Sequence, residues 1–256
     1  MTQQPRDQPR YANPIQAPGT DEEQWRAWDG WNKLPEVELP TSGRVVVVAA
    51  HPDDEVLGAG GMMAMLAASG VAITVVSVTD GERSHAGGTA VTPERLAELR
   101  ADELRASLVE LGAGTADIVR LKVPDSEVAF HEDEVAAALE ARMAGARLCL
   151  SPWIGDVHGD HEAAGRAALA ATRTASVRCL MYPVWMWHWA RPDDSRVPWS
   201  SALRVRLPGT ARARKRAAVE RLTTQITPLG PDPRDAAPMP PEEIAHHLRD
   251  VEVVFE

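Results

Sequence analysis

From residue 44 onward, apolar β-branched runs alternate with amphipathic stretches. Val45 to Ala50 is continuously apolar, the mark of a strand buried on both faces. Leu57 to Ser69 then reads as a helix and Val71 to Val78 as a second buried strand. Thr92-Pro93 opens a long amphipathic helix that runs through Leu111 and is closed by Gly112 and Gly114, the expected asymmetry of start and stop residues. Ile118 to Val123 is predicted as a strand, 132 to 144 as a helix, Arg147 to Leu150 as a strand and His161 to Thr174 as a helix. Val177 to Trp189 reads as a strand that changes character halfway. A strand over Ala202 to Leu207, a basic helix over 210 to 225, a Pro-rich segment over 228 to 241 and an edge strand over Val251 to Phe255 complete the pattern. Repeated strand–helix alternation predicts an α/β fold: a Rossmann-like, mainly parallel twisted sheet with helices on both faces.

The stretch before this domain differs in character, so the chain divides into an N-terminal extension (1–43) and a main domain (44–256). Residues 1 to 19 are polar and carry Pro5, Pro9, Pro14 and Pro18, a composition expected to be poorly ordered. Thr20 and Asp21 are placed to cap a short helix bearing Trp25, Trp28 and Trp31. A formal net charge of -10 over 256 residues argues against nucleic acid or an anionic membrane as the main partner. No stretch approaches the ~20 apolar residues that span a bilayer, and no apolar signal core opens the chain. Cys149 and Cys179 sit in apolar runs outside any CxxC and read as buried small hydrophobes. Together these features predict a cytoplasmic protein.

Two clusters carry the chemistry. The first strand ends in Ala50-His51-Pro52-Asp53-Asp54-Glu55, and the fourth is followed by Asp156-Val157-His158-Gly159-Asp160-His161. Both therefore fall at carboxyl ends of strands, where open α/β sheets place their sites, and they converge if the two strands are neighbours at the switch point. Two imidazoles and one carboxylate leave coordination positions open, as a hydrolytic zinc site requires. In the first cluster one Asp can face a metal and its neighbour a water. In the second, one His can bind a metal while the His three residues earlier donates to a developing oxyanion.

The strand followed by AHPDDE and Gly60-Gly61, then Thr79-Asp80-Gly81-Glu82, the Arg100…Glu103…Leu111-Gly112 helix, His158-Gly159-Asp160-His161 and Lys215…Ala218…Thr224-Gln225 resembles the PIG-L/LmbE-like N-acetylglucosaminyl deacetylases, including members of the mycothiol and bacillithiol pathways. The resemblance covers about 44 to 226 and implies an LmbE-like fold and a zinc-dependent hydrolase. Such an enzyme removes an acetyl group from the amide nitrogen of an N-acyl amino sugar or glycoconjugate. It implies His51, Asp54 and His161 as zinc ligands, Asp53 as general base, and a protonated His158 that stabilises the intermediate, with Asp160 orienting His158 by a hydrogen bond. Asp125 and Arg83 are implied as substrate contacts. Iron(II) suits the same ligand set.

Asp156-Val157 stands where the thiol-pathway sugar deacetylase has a mobile Tyr, and Leu222 where a His is often found; both departures bear on the substrate. Trp185, Trp187 and Trp189 alternate, so a strand would put them on one face. They are expected to pack against Trp25, Trp28 and Trp31 or line an interface between copies of the chain, with Trp185 the candidate substrate contact. His188 is expected to be structural. Two rival readings are an amidase of thiol-sugar conjugates using the same metal chemistry and a mononuclear non-heme iron oxygenase, whose facial triad usually sits on an all-β jelly roll.

Overall fold

A computed structural model of the chain describes residues 13–256. The elements run α1 (Glu22–Arg26), β1 (Arg44–Ala49), α2 (Asp54–Ala68), β2 (Ala72–Ser77), α3 (Pro93–Glu110), β3 (Asp117–Arg120) and α4 (Glu132–Met143). There follow β4 (Ala146–Pro152), α5 (Gly159–Ala175), β5 (Arg178–Tyr182), α6 (Met186–Trp189), β6 (Ala202–Arg206), α7 (Gly209–Val219), α8 (Thr223–Ile226), α9 (Pro241–His247) and β7 (Val251–Phe255). One seven-stranded sheet has the order β3-β2-β1-β4-β5-β7-β6. The strands from β3 to β5 are parallel, whereas β7 runs antiparallel to both β5 and β6.

The alternation of side chains along β1 explains its unbroken apolar run. Val45 and Val47 pack on one face with α2, α3 and α7, while Val46 and Val48 pack on the other with α4 and α5. A strand with helices on both sides has no polar face to offer. Helix α2 comes so close to the sheet that a Cβ on Gly58 would stand 2.1 Å from the Tyr182 ring; glycine is required there by contact.

Several elements differ from their sequence expectations. The terminal strand β7 is not an edge: it lies between β5 and β6, and Val253, Val254 and Phe255 are buried. The expected long strand over Val177 to Trp189 stops at Tyr182, and the tryptophans continue as the helical turn α6. The basic helix breaks after Val219 and resumes as α8, and the Pro-rich stretch leads into the unforeseen α9. Both cysteines are free; Cys149 is buried and Cys179 half-buried.

The expectation of disorder over 1 to 19 falls partly on residues 1 to 12, outside the described residues, and does not hold for 13 to 19. That segment forms a 3-10 turn over Pro14–Gln16. It is pinned by the His188 ring at the Ala17 carbonyl (2.8 Å) and by Thr20, whose hydroxyl donates to the Ala190 carbonyl at 2.6 Å. Trp25 is fully buried, and its ring packs edge-on against Trp187 at 5.1 Å. Trp28, Trp31 and Trp199 complete the cluster, over which the Arg249 guanidinium lies 4.4 Å from the Trp187 ring centre. Aromatic pairs of this geometry are worth ~0.5–1.5 kcal/mol each beyond burial. Residues 13–43 of the extension thus pack as part of the main body.

One buried ion pair ties the far end of the sheet to α2. Lys215 Nζ donates to Glu252 Oε1 and to the Leu57 carbonyl, both at 2.7 Å, while the Gly61 and Met62 amides donate to the Glu252 carboxylate. Burial pulls the Lys215 ammonium below its ordinary pKa and Glu252 opposes that pull. Glu252→Ala strands a buried cation and two amides, so a loss of ~3–5 kcal/mol is expected. Denaturant unfolding monitored by circular dichroism checks this; a loss below ~1 kcal/mol would show that the pair contributes no net stability.

Candidate active site

The parallel pairing of β1 with β4 puts the two His/Asp clusters side by side, because β2 departs on one side of β1 and β4 lies on the other. The His51 N–H donates to Asp54 Oδ2 at 2.8 Å, which folds the first turn of α2 back onto the end of β1. His51 Nδ1, Asp54 and His161 Nε2 then form a small triangle. Its sides are 3.5 Å from His51 Nδ1 to Asp54 Oδ2, 3.2 Å from His161 Nε2 to Asp54 Oδ1, and 3.3 Å between the two ring nitrogens. Tetrahedral zinc with bonds of ~2.0–2.1 Å holds its ligand atoms ~3.3–3.4 Å apart, so the donor set fits such an ion.

Each imidazole has a carboxylate at its other nitrogen. Asp156 Oδ2 lies 2.7 Å from His161 Nδ1 and is itself fixed by the Val184, Trp185 and Met186 amides. Asp160 Oδ2 lies 3.2 Å and Asp125 Oδ1 3.3 Å from His51 Nε2. Carboxylates so placed select the tautomer that presents the opposite nitrogen to a metal. Among the described residues two alternative donor groupings exist, His51 with His158 and His161, and His51 with Asp125 and Asp160. The second uses the His51 nitrogen that faces away from the triangle and is better read as this outer support.

The electrostatics point to a cation. Burial, the largest influence on His161, pulls its pKa down, yet the Asp54 charge and the bonds to Asp156 and Asp54 hold it up at about 9. Burial likewise lowers His51, and Asp125, Asp160 and Asp54 raise it well above its ordinary value. The carboxylates around both rings thus favour positive charge at this position.

Asp53 stands apart from the triangle and is held by Arg100, whose Nη2 is 3.0 Å from Asp53 Oδ1. Burial raises the Asp53 pKa and the Arg100 charge opposes the rise. Arg100 in turn donates to the Gly81 carbonyl at 2.9 Å. A Cβ on Gly81, at φ +66°, would strike the guanidinium, so this turn needs glycine.

His158 lines the same recess, its ring centre 4.4 Å from that of His161. Two expectations for it need correction. Asp160 does not hydrogen-bond it; Asp160 accepts from the Ser126 and Val128 amides and faces His51 instead. The ring is also neutral, because burial and then the neighbouring His161 and His51 charges push it down to about 3. A metal in place of those protons would push the same way. His158 Nδ1 is buried without a partner among the described residues. The preceding Val157 has φ +67°, a strained conformation for a β-branched residue that helps present the ring.

The recess has a volume of about 300 Å³. Arg83, Asp125 and Trp185, the expected substrate contacts, line it together with Ser126. Arg83 is not a loose loop charge: its amide donates to Asp125 Oδ2, and its guanidinium bonds the Asp125 carbonyl and Glu127, each at 2.8 Å. Trp187 and Trp189 turn away into packing, and His188 is structural, bonded to Glu243 and Ala17. Asn13, Ile15 and Gln16 of the extension, with Pro238 and Met239, form the opposite wall. Sequence reading missed this wall, which no local signal marks. It also missed Asp156, whose place beside the HxDH motif was the available clue.

The mainly parallel α/β sheet differs from the all-β jelly roll on which the facial triad of the iron-oxygenase reading usually sits. A family model described as GlcNAc-PI de-N-acetylase, PIG-L, matches residues 46–172. A protein of Streptomyces avermitilis named 1D-myo-inositol 2-acetamido-2-deoxy-alpha-D-glucopyranoside deacetylase is 33% identical over 211 residues, which cover 69% of this chain and 71% of that protein. A protein of the same name from Rhodococcus opacus is 30% identical over 184 residues, 62% of this chain, and the match spans 59% of that protein's length. A solved structure of a conserved protein from Thermus thermophilus is 28% identical, covering 72% of this chain and 80% of its own, with a TM-score of 0.54. On the strength of these matches, the chain belongs to the PIG-L family of N-acetylglucosaminyl deacetylases.

Proposed function

We propose that the protein is a zinc-dependent N-deacetylase acting on the acetamide of an N-acetylglucosamine-like sugar in a small glycoconjugate. The observation that carries this reading is the His51, Asp54 and His161 triangle, with sides of 3.2–3.5 Å, beside an Asp53 carboxylate that is not part of it. When bound, the ion supplies a Lewis acid for the amide carbonyl and lowers the pKa of a water to ~7. Asp53 takes the proton of the attacking water, and Arg100 fixes the direction of its carboxylate. Neutral His158 donates an N–H to the carbonyl oxygen, a bond that strengthens as negative charge develops there. The C–N bond then breaks, and the proton held on Asp53 passes to the departing amine, leaving acetate and a free amino sugar. Arg83, Asp125 and Trp185 orient the sugar. The recess of about 300 Å³ lies at the small end of the range for small-molecule sites, ~300–1,000 Å³, and favours a short conjugate over a large one. Within the extension (1–43), Asn13, Ile15 and Gln16 serve this site as a wall laid on the main domain (44–256).

Metal loading carries its own pH signature. Imidazoles must be neutral to ligate, and His161 is held up at about 9. Loading at neutral pH therefore releases protons, and affinity rises with pH until that value is passed. Calorimetry in buffers of different ionisation enthalpy reads those protons; affinity flat between about pH 6 and 9 would contradict the ligand set. His161→Ala should lose stoichiometric metal, whereas Asp156→Asn should weaken it ~10–100-fold.

Asp53→Asn should keep the metal and lose ~10²–10⁴-fold in kcat. The Arg100 charge favours the Asp53 carboxylate, so Arg100→Met raises the Asp53 pKa and moves the acidic limb of kcat/KM to higher pH. A limb that stays in place would mean that another group is the base.

The wall makes a prediction about selectivity. Ile15→Ala should shift the ratio of kcat/KM values for large and small aglycones by ~10-fold in favour of the large. An unchanged ratio would place the aglycone elsewhere.

A further inference from the structure

A second recess, of about 530 Å³, opens between α7, the β6–β7 end of the sheet and the Trp-bearing extension. It shares no lining residue with the catalytic recess. Six arginines line it: Arg26, Arg204, Arg206, Arg212, Arg216 and Arg249. This concentration occurs in a chain whose formal net charge is -10, so it does not reflect composition.

The nearby carboxylates leave much of this charge unmatched. Glu22 takes Arg249 at 2.5 Å and Arg26 at 3.2 Å. Glu36 takes Arg206 at 2.8 Å and Arg204 at 3.2 Å. Asp250 lies in the wall but makes no ion pair among the described residues. Arg212 and Arg216 likewise have no carboxylate partner among the described residues, and they are exposed one turn apart on α7, where like charges repel. Arg204 Nε is a buried donor with no partner among the described residues, although the rest of its guanidinium is held by Glu36 and the Trp31 carbonyl. Arg249, stacked on the tryptophans, gives the recess a rigid floor.

Guanidinium forks match oxyanions with two parallel hydrogen bonds. A phosphate ester carries close to two negative charges near neutral pH, which suits several converging arginines better than a single carboxylate does. The volume is that of a small-molecule site. We infer that this recess binds a small organic ligand carrying two or more phosphate groups, with Arg212 and Arg216 as its principal contacts.

Titration calorimetry of the metal-loaded full chain at constant ionic strength tests the assignment, with inorganic pyrophosphate, a nucleoside diphosphate and inorganic phosphate as probes. Pyrophosphate and the diphosphate should each bind saturably and at least ~10-fold tighter than inorganic phosphate, and Arg212→Ala/Arg216→Ala should weaken them ~10-fold or more. Both side chains are exposed, and unchanged thermal unfolding and deacetylase turnover would show that the variant is intact. Undiminished binding in the double variant would overturn the proposal, placing the probe elsewhere, for example on the active-site metal. So would the absence of saturable binding by both probes.

Discussion

The parallel contact between β1 and β4 is the constraint on which the site depends. Neither cluster closes the triangle alone: His51 and Asp54 lie at the end of one strand, His161 at the start of the helix after the other, and 110 positions separate the two imidazoles. The pairing brings Val45 opposite Leu148 and Val47 opposite Leu150, so the register is fixed by apolar residues buried on both faces. A one-residue slip would turn every side chain to the wrong face. The geometry of the site therefore rests on packing below it.

Assembling that triangle has an electrostatic cost. Asp53, Asp54, Asp125, Asp156 and Asp160 are all buried, and isolated carboxylates in such surroundings would protonate. Glu55, whose carboxylate oxygens are buried with no partner among the described residues, has its pKa pushed well up by that burial. The others are compensated by backbone amides, Arg100 and the two imidazoles. Asp156 has three amide donors, and Asp160 has two. A divalent cation would relieve the remaining imbalance.

The sheet and the position of the two His/Asp clusters were legible in the sequence for a physical reason. A doubly covered strand has to be apolar throughout, and catalytic clusters at strand ends stand out as polar residues where the apolar run stops. The placement of β7 was not legible, because a five-residue terminal strand does not state its neighbours; Phe255 opposite Met181 and Ala202 settles its interior position. Trp185, Trp187 and Trp189 misled, since their alternation fits a strand while tertiary packing makes them a helical turn. The Asp160–His158 bond failed for a related reason: adjacency in a motif says little about which backbone amides will claim a carboxylate.

The metal triangle and part of the recess wall come from different parts of the chain. His51, Asp53, Asp54, His158 and His161 all lie within residues 46–172, the part that the family model matches. Trp185, Met239, Ile15 and Gln16, which complete the walls of the recess, all lie outside it. A hydrolytic centre needs donor atoms held to a few tenths of an ångström, which strand ends and the first turns of helices supply. A substrate wall needs only shape, and loops or an added segment supply that as well. Here the added segment is held by interactions remote from the metal triangle: Trp25 against Trp187, Thr20 on Ala190, and His188 between Ala17 and Glu243. This part of the wall can therefore vary without disturbing the triangle, so in the proposed reading residues outside 46–172 join Arg83 and Asp125 in the choice of substrate.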